Sequence, residues 1–194
     1  MDHIDETYRN KQSSLMKAYY AMKNVENESM PCHIEEGLFL GSYGAASNMV
    51  GLKSLNVTHV LVVANSLAPA HPNDFVYKRI DVADRVDTNL AQYFDECFEF
   101  IEEAKRTGGA VLVHCYAGIS RSVTIVLAYL MKKHHLSLSE ALEHVKSKRP
   151  KASPNLGFLL QLRKFENSLR ELQSQARTDA DTDLMHVAGN GGRI

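Results

Sequence analysis

Ala110-Val111-Leu112-Val113-His114-Cys115-Tyr116-Ala117-Gly118-Ile119-Ser120-Arg121-Ser122 is the stretch on which the reading of this chain turns. Its first five residues form a short apolar run behind Gly108-Gly109, which predicts a strand over 110–114. The apolar residues after Arg121 predict a helix over about 121–134. A short loop with one glycine, Gly118, joins the two. In such a turn successive backbone N–H groups can face inward and form an anion-binding nest. The helix N-terminus adds unpaired N–H groups and a partial positive charge. A pocket of this kind suits a phosphate dianion.

Cys115 stands at the mouth of the nest. A free thiol is only about a few per cent thiolate at neutral pH. A helix N-terminus and a nearby guanidinium favour the thiolate, so one field both makes a nucleophile and holds a phosphate. Arg121 follows Cys115 by six residues, and its planar fork can bind two phosphate oxygens at once. Ser122 is placed to donate a hydrogen bond to the sulfur and ease its departure. The backbone N–H groups of Tyr116, Ala117, Gly118, Ile119 and Ser120 are the expected phosphate donors. Neighbouring strand residues point to opposite faces, so His114 is expected to orient the loop rather than touch the sulfur.

Outward from this stretch the chain alternates strands and helices. His33-Ile34 and Leu38-Phe39-Leu40 read as a hairpin about Gly37. Residues 44–55 read as short helix and turn. Val57-Thr58-His59-Val60-Leu61-Val62-Val63-Ala64 has the low polarity of a strand covered on both faces. Phe75-Val76-Tyr77-Lys78-Arg79-Ile80 is a further strand. Helices are predicted over 89–106, 138–148 with Ser137 or Ser139 as cap, and 155–174. The expected fold is therefore α/β, a mostly parallel sheet of about five strands with helices on both faces. One domain is expected over 31–174, after an N-terminal extension at 1–30 that admits a helix. The polar residues 175–194 predict a disordered tail.

Composition narrows the function. The 194 residues carry 22 Lys and Arg against 23 Asp and Glu, which argues against a nucleic-acid or anionic-membrane binder. No run of about 18 apolar residues suggests a membrane span, and the acidic start lacks the pattern of a signal peptide. The three cysteines, Cys32, Cys97 and Cys115, form neither a disulfide framework nor a zinc pattern. A reducing compartment, cytosol or nucleus, is expected, with no metal and no cofactor. Cys97 falls on the apolar face of its helix and reads as core. Cys32 has no assigned role.

The loop resembles the Cys-x5-Arg signature of protein tyrosine phosphatases. In its His-Cys-x-x-Gly-x-Ser-Arg-Ser form it is similar to the dual-specificity branch. Gly37-Leu38-Phe39-Leu40-Gly41-Ser42, Asn56-Val57-Thr58-His59-Val60-Leu61, Ala128-Tyr129-Leu130-Met131 and Ser153-Pro154-Asn155 extend the resemblance over about residues 31–170. It comes nearest to small plant members that act on MAP kinases. The resemblance implies attack on phosphotyrosine and phosphoserine or phosphothreonine through a phosphocysteine. That reaction expels an alkoxide or phenoxide and needs a proton donor, which the loop lacks. Asp81, Asp84 and Asp87 follow the strand predicted at Phe75–Ile80, in a segment that could cover the pocket. The resemblance points to Asp84 as acid and then base, with Asp81 the rival. It also implies that Asn155 holds the phosphate loop, where a plain helix cap is the alternative.

Other features carry less. Lys146, Lys148, Arg149 and Lys151 cluster at a helix end, where solvated cations complement the dipole. Contact with a second phosphate is the functional alternative. Residues 9–25 combine Arg9, Lys11, Lys17 and Lys23 with Leu15, Tyr19 and Met22 on one helical face, a pattern of calmodulin targets as well as of ordinary packed helices. The expected partner is a phosphoprotein, a MAP kinase by resemblance, and the expected state is a monomer. Competing functions are a phosphatase for lipid, glucan or RNA phosphates and a non-catalytic phosphate-binding scaffold. The uncharged Tyr116, Ala117, Ile119 and Ser120 argue against lipid headgroups.

Overall fold

The computed structural model describes residues 28–189, and Lys23 ahead of them, with side chains described as far as residue 175. The central run of valines and leucines builds a five-stranded sheet of order β1-β2-β5-β3-β4. Its strands are β1 (Cys32–Glu35), β2 (Leu38–Gly41), β3 (Val57–Val63), β4 (Val76–Ile80) and β5 (Ala110–His114). β1 and β2 form the expected antiparallel hairpin, and all other neighbours are parallel. β5 occupies the centre, with Leu40 opposite Val113 on one side and Leu61 opposite Val113 on the other.

The period of two in the strands divides the core into two layers. Leu61, Val63, Val111 and Val113 face one cluster, while Val60, Val62 and Leu112 face the other. The first cluster is covered by four helices: α3 (Phe94–Arg106), α4 (Arg121–His134), α5 (Leu138–Lys148) and α6 (Leu156–Gly189). The second is covered by the short α1 (Tyr43–Ser47) and α2 (Met49–Ser54), which contribute Ala46 and Leu52, and by Phe75. Helices thus lie on both faces, as predicted, with the long ones on one side. α4 crosses the middle of its layer, and every residue from Arg121 to Met131 is buried.

Local signals explain the ends of these elements. The helix predicted from residue 89 opens as a 3-10 turn over Ala91–Tyr93 before α3 begins. Ser137, rather than Ser139, caps α5 in a reciprocal capping box with Glu140. The backbone of α6 runs on in helical form past residue 174 to Gly189. Residues 175–188 hold no proline or glycine, and the first helix breaker is Gly189. The chain also engages the domain ahead of Pro31. Asn48 Nδ2 donates to the Ser29 carbonyl at 2.9 Å, and Glu28 pairs with Arg149 and Lys151. Apart from Lys23, the amphipathic segment 9–25 lies outside the described residues. Among the described residues no helix is long and apolar enough to cross a membrane.

Candidate active site

In a parallel sheet the loops that leave the carboxyl ends of the strands share one edge. Here that edge receives Ser42-Tyr43 after β2, Asn65 after β3, residues 81–87 after β4 and the Cys115 loop after β5. The loop is held from outside by its carbonyls. His114 Nδ1 donates to the Cys115 carbonyl at 3.2 Å. Tyr43 N–H donates to Tyr116 O at 2.9 Å, and Ser153 N–H donates to Ile119 O at 2.8 Å. Between them Arg149 Nη2 donates to Ala117 O at 3.0 Å and Nε to Gly118 O. In a trans planar peptide the N–H points opposite to its C=O. With every carbonyl from Cys115 to Ile119 tied outward, the N–H groups of Tyr116, Ala117, Gly118, Ile119 and Ser120 turn inward. The nest expected from the motif is therefore built by five outside donors.

The sulfur lies within it. Gly118 N–H and Ser122 Oγ each donate to Cys115 Sγ at 3.2 Å. Gly118 adopts φ +63, and a Cβ there would fall on the Gly41 carbonyl and the Arg149 guanidinium. Only glycine meets both demands. His114 is buried behind the loop, and burial pushes its imidazole down to about 4 despite the bond to the Cys115 carbonyl. It is neutral at physiological pH, and its ring meets the loop at the Cys115 carbonyl. Cys97, by contrast, sits in the apolar core, where burial pushes its thiol up to about 12.

Arg121 enters from the first turn of α4. Its Nη1 donates to Asn65 Oδ1 at 3.2 Å and to the Val82 carbonyl at 3.1 Å. Its buried Nε makes no hydrogen bond among the described residues. The guanidinium is thus anchored through Nη1, while Nε faces the Asp84 carboxylate in an ion pair at 3.5 Å. Asn65 was not anticipated, since an exposed asparagine after a strand reads as an ordinary turn residue.

Asp84, and neither Asp81 nor Asp87, reaches this cluster. Its Oδ1 accepts from Ser120 Oγ and Asn155 Nδ2, each at 2.8 Å, and its Oδ2 lies 3.5 Å from Arg121 Nε. Asp87 is turned away into an ion pair with Arg85. Asn155 does two jobs that were posed as alternatives. Its Oδ1 caps α6 by accepting from Phe158 N–H at 3.0 Å, while its N–H donates to Ser120 Oγ at 3.1 Å and its amide holds Asp84. The acid segment is pressed onto α6 at Gly157, where any Cβ would collide with the Val86 carbonyl.

The basic cluster divides. Lys146, Lys148 and Lys151 are exposed, and Lys151 also pairs with Glu28. Arg149 is not; it is 2% exposed and braces the phosphate loop. Charge composition could not reveal this. The one local signal is the following Pro150, which disfavours helical backbone at Arg149 and makes it the C-cap of α5. Among the described residues no cluster of His, Cys, Asp or Glu could hold a metal ion.

Comparison with known proteins shows what this chain is similar to. Residues 38–168 match the family described as the dual specificity phosphatase, catalytic domain. Dual specificity protein phosphatase 1 of Arabidopsis thaliana is 56% identical over 170 residues, 88% of this chain and 86% of that protein. MAP kinase phosphatase with leucine-rich repeats protein 3 of Dictyostelium discoideum is 43% identical over 142 residues, 73% of this chain and 16% of its own length. The crystal structure of human DUSP28 superposes with a TM-score of 0.70 at 36% identity, covering 72% of this chain and 95% of that one. With its site assembled on the matched segment, the chain belongs to the dual-specificity phosphatase family.

Proposed function

We propose that the protein removes phosphate from phosphotyrosine and from phosphoserine or phosphothreonine in other proteins, by way of a phosphocysteine on Cys115. The observation that carries this is the Cys115 sulfur, held by Gly118 N–H and Ser122 Oγ inside a ring of inward N–H groups. The phosphate docks on the nest and on the guanidinium of Arg121. Cys115 Sγ attacks phosphorus, the S–P bond forms and the P–O ester bond breaks. Asp84, as the acid, gives its proton to the departing oxygen. In the second step the Asp84 carboxylate takes a proton from water, the water oxygen bonds to phosphorus, and the S–P bond breaks. Ser122 donates to the leaving thiolate, and inorganic phosphate departs.

A MAP kinase is the substrate we favour. The support is the resemblance of the motifs and the name of the Dictyostelium relative, a MAP kinase phosphatase. Work in the cytosol or nucleus and calmodulin binding through residues 9–25 belong to the same proposal. Both rest on sequence pattern alone. A peptide bearing one phosphothreonine and one phosphotyrosine, taken from a MAP kinase activation segment, tests the reading. Phosphate release from both residues, lost with Cys115→Ser, is expected. Release from phosphotyrosine alone would overturn dual specificity.

A further inference from the structure

Arg149 is a buried cation with two obligations. Nε and Nη2 hold the carbonyls of Gly118 and Ala117, whose peptide units place N–H groups in the nest. The same guanidinium meets Glu28 as a bidentate pair, Nη1 to Oε1 at 2.8 Å and Nη2 to Oε2 at 3.1 Å. Nη1 also touches Cys32 Sγ at 3.4 Å. Glu28 is 121 residues away in sequence and lies ahead of the segment that matches the family. Among the described residues it is the one carboxylate paired with Arg149.

A buried guanidinium whose counter-charge is removed is strongly disfavoured, and it relaxes by moving toward water. Arg149 can do so only by releasing the Ala117 and Gly118 carbonyls. Burial opposes ionisation of Glu28, but the bonds from Arg149 and Lys151 more than offset it and hold the carboxyl below the usual range. The pair is therefore ionic at neutral pH.

We propose that Glu28 is a positioning residue for the phosphate loop, acting through Arg149, so that the chain ahead of the catalytic domain completes the phosphate site. The proposal rests on the phosphocysteine reading above. Groups that orient the direct ligands of a site typically change affinity or activity by about 10–100-fold when altered. The effect expected here is at the lower end.

The test uses the full chain, hydrolysis of p-nitrophenyl phosphate and inhibition by orthovanadate. Glu28→Gln keeps the side chain's size and removes its charge. It should raise KM and the vanadate inhibition constant about tenfold, with a smaller change in kcat. In an Arg149→Met background the same substitution should have no further effect, because the group it acts through is gone. Wild-type vanadate inhibition in E28Q overturns the proposal, as does an equal loss with and without Arg149. Should E28Q alone lose its folded circular-dichroism spectrum, R149M is compared with the double variant. Equal inhibition supports the proposal and a further loss overturns it. Failure of the phosphatase reading itself would be separately visible, as wild-type turnover that survives Cys115→Ser.

Discussion

Asn155 and Asp84 are joined across 71 residues of sequence by a 2.8 Å hydrogen bond from the Asn155 amide to Asp84 Oδ1. The bond ties the acid segment after β4 to the N-terminus of α6. The same asparagine's N–H holds Ser120, so acid and phosphate loop share one support. Asn155→Ala should therefore act twice. It should destabilise the fold by about 1 kcal/mol through the lost cap. It should also lower kcat by about tenfold through the released Asp84. Urea unfolding and steady-state kinetics separate the two.

The effect of replacing Asp84, the proposed acid, should depend on the leaving group. Asp84→Asn should lower kcat/KM, which reports the steps up to loss of the leaving group, by about 10²–10⁴-fold on an alkyl phosphate, whose departing oxygen needs the proton. The loss should be much smaller on p-nitrophenyl phosphate, whose leaving group is weakly basic. Asp81→Asn and Asp87→Asn should leave both rates near wild type. An equal loss on both substrates would remove Asp84 from the proton-donor role.

Ser122 Oγ donates to Cys115 Sγ, the group that leaves in the second step of the proposed mechanism. Ser122→Ala should slow hydrolysis of the phosphocysteine more than its formation. Rapid mixing with p-nitrophenyl phosphate should then show a burst of nitrophenol close to one equivalent, followed by a slower steady state. A uniform slowing without a burst would place the serine in the first step.

Gly118 is both left-handed and pressed between Gly41 and Arg149. Gly118→Ala must shift the loop carbonyls that Arg149 holds. Loss of vanadate inhibition and a fall in kcat/KM on the order of 100-fold are expected. Ser137→Ala serves as the contrast: it should cost about 1 kcal/mol by removing the α5 capping box and leave kinetics unchanged.

The buried His114 makes stability depend on pH. Its folded value, about 4, lies below the usual 6.5, so the unfolded chain binds more protons between the two. The neutral form's contribution is complete above about 6.5 and falls away as the pH drops toward 4. Its full loss is on the order of 3 kcal/mol. Chemical unfolding between pH 7 and 4 should show this slope, and His114→Asn should flatten it.

Asp84 shows how far composition and pattern reach. Three aspartates stand within seven residues of one another, and nothing in the stretch itself selects among them. The choice depends on which carboxylate faces Ser120 and Asn155, and the folding of two other elements decides that. Arg149 is the clearer failure. At a helix end among lysines it reads as a solvated cation, because its partners lie at positions 28, 32, 117 and 118. Asn65, which anchors Arg121, was invisible for the same reason.

The sequence by itself determined the strand, loop and helix around Cys115, the bringing together of Cys115 and Arg121 in that loop, and the α/β layering. These rest on neighbours in the chain and on the periods of strand and helix, which are local properties. Only the tertiary structure decided what surrounds the Asp84 that family resemblance had picked out, which nitrogen of Arg121 is an anchor, and that Arg149, paired with Glu28, holds the loop carbonyls from behind. Those relations join residues far apart in sequence. They exist because the parallel sheet brings its loop ends to one edge, where burial leaves a charge no stable place except beside its partner.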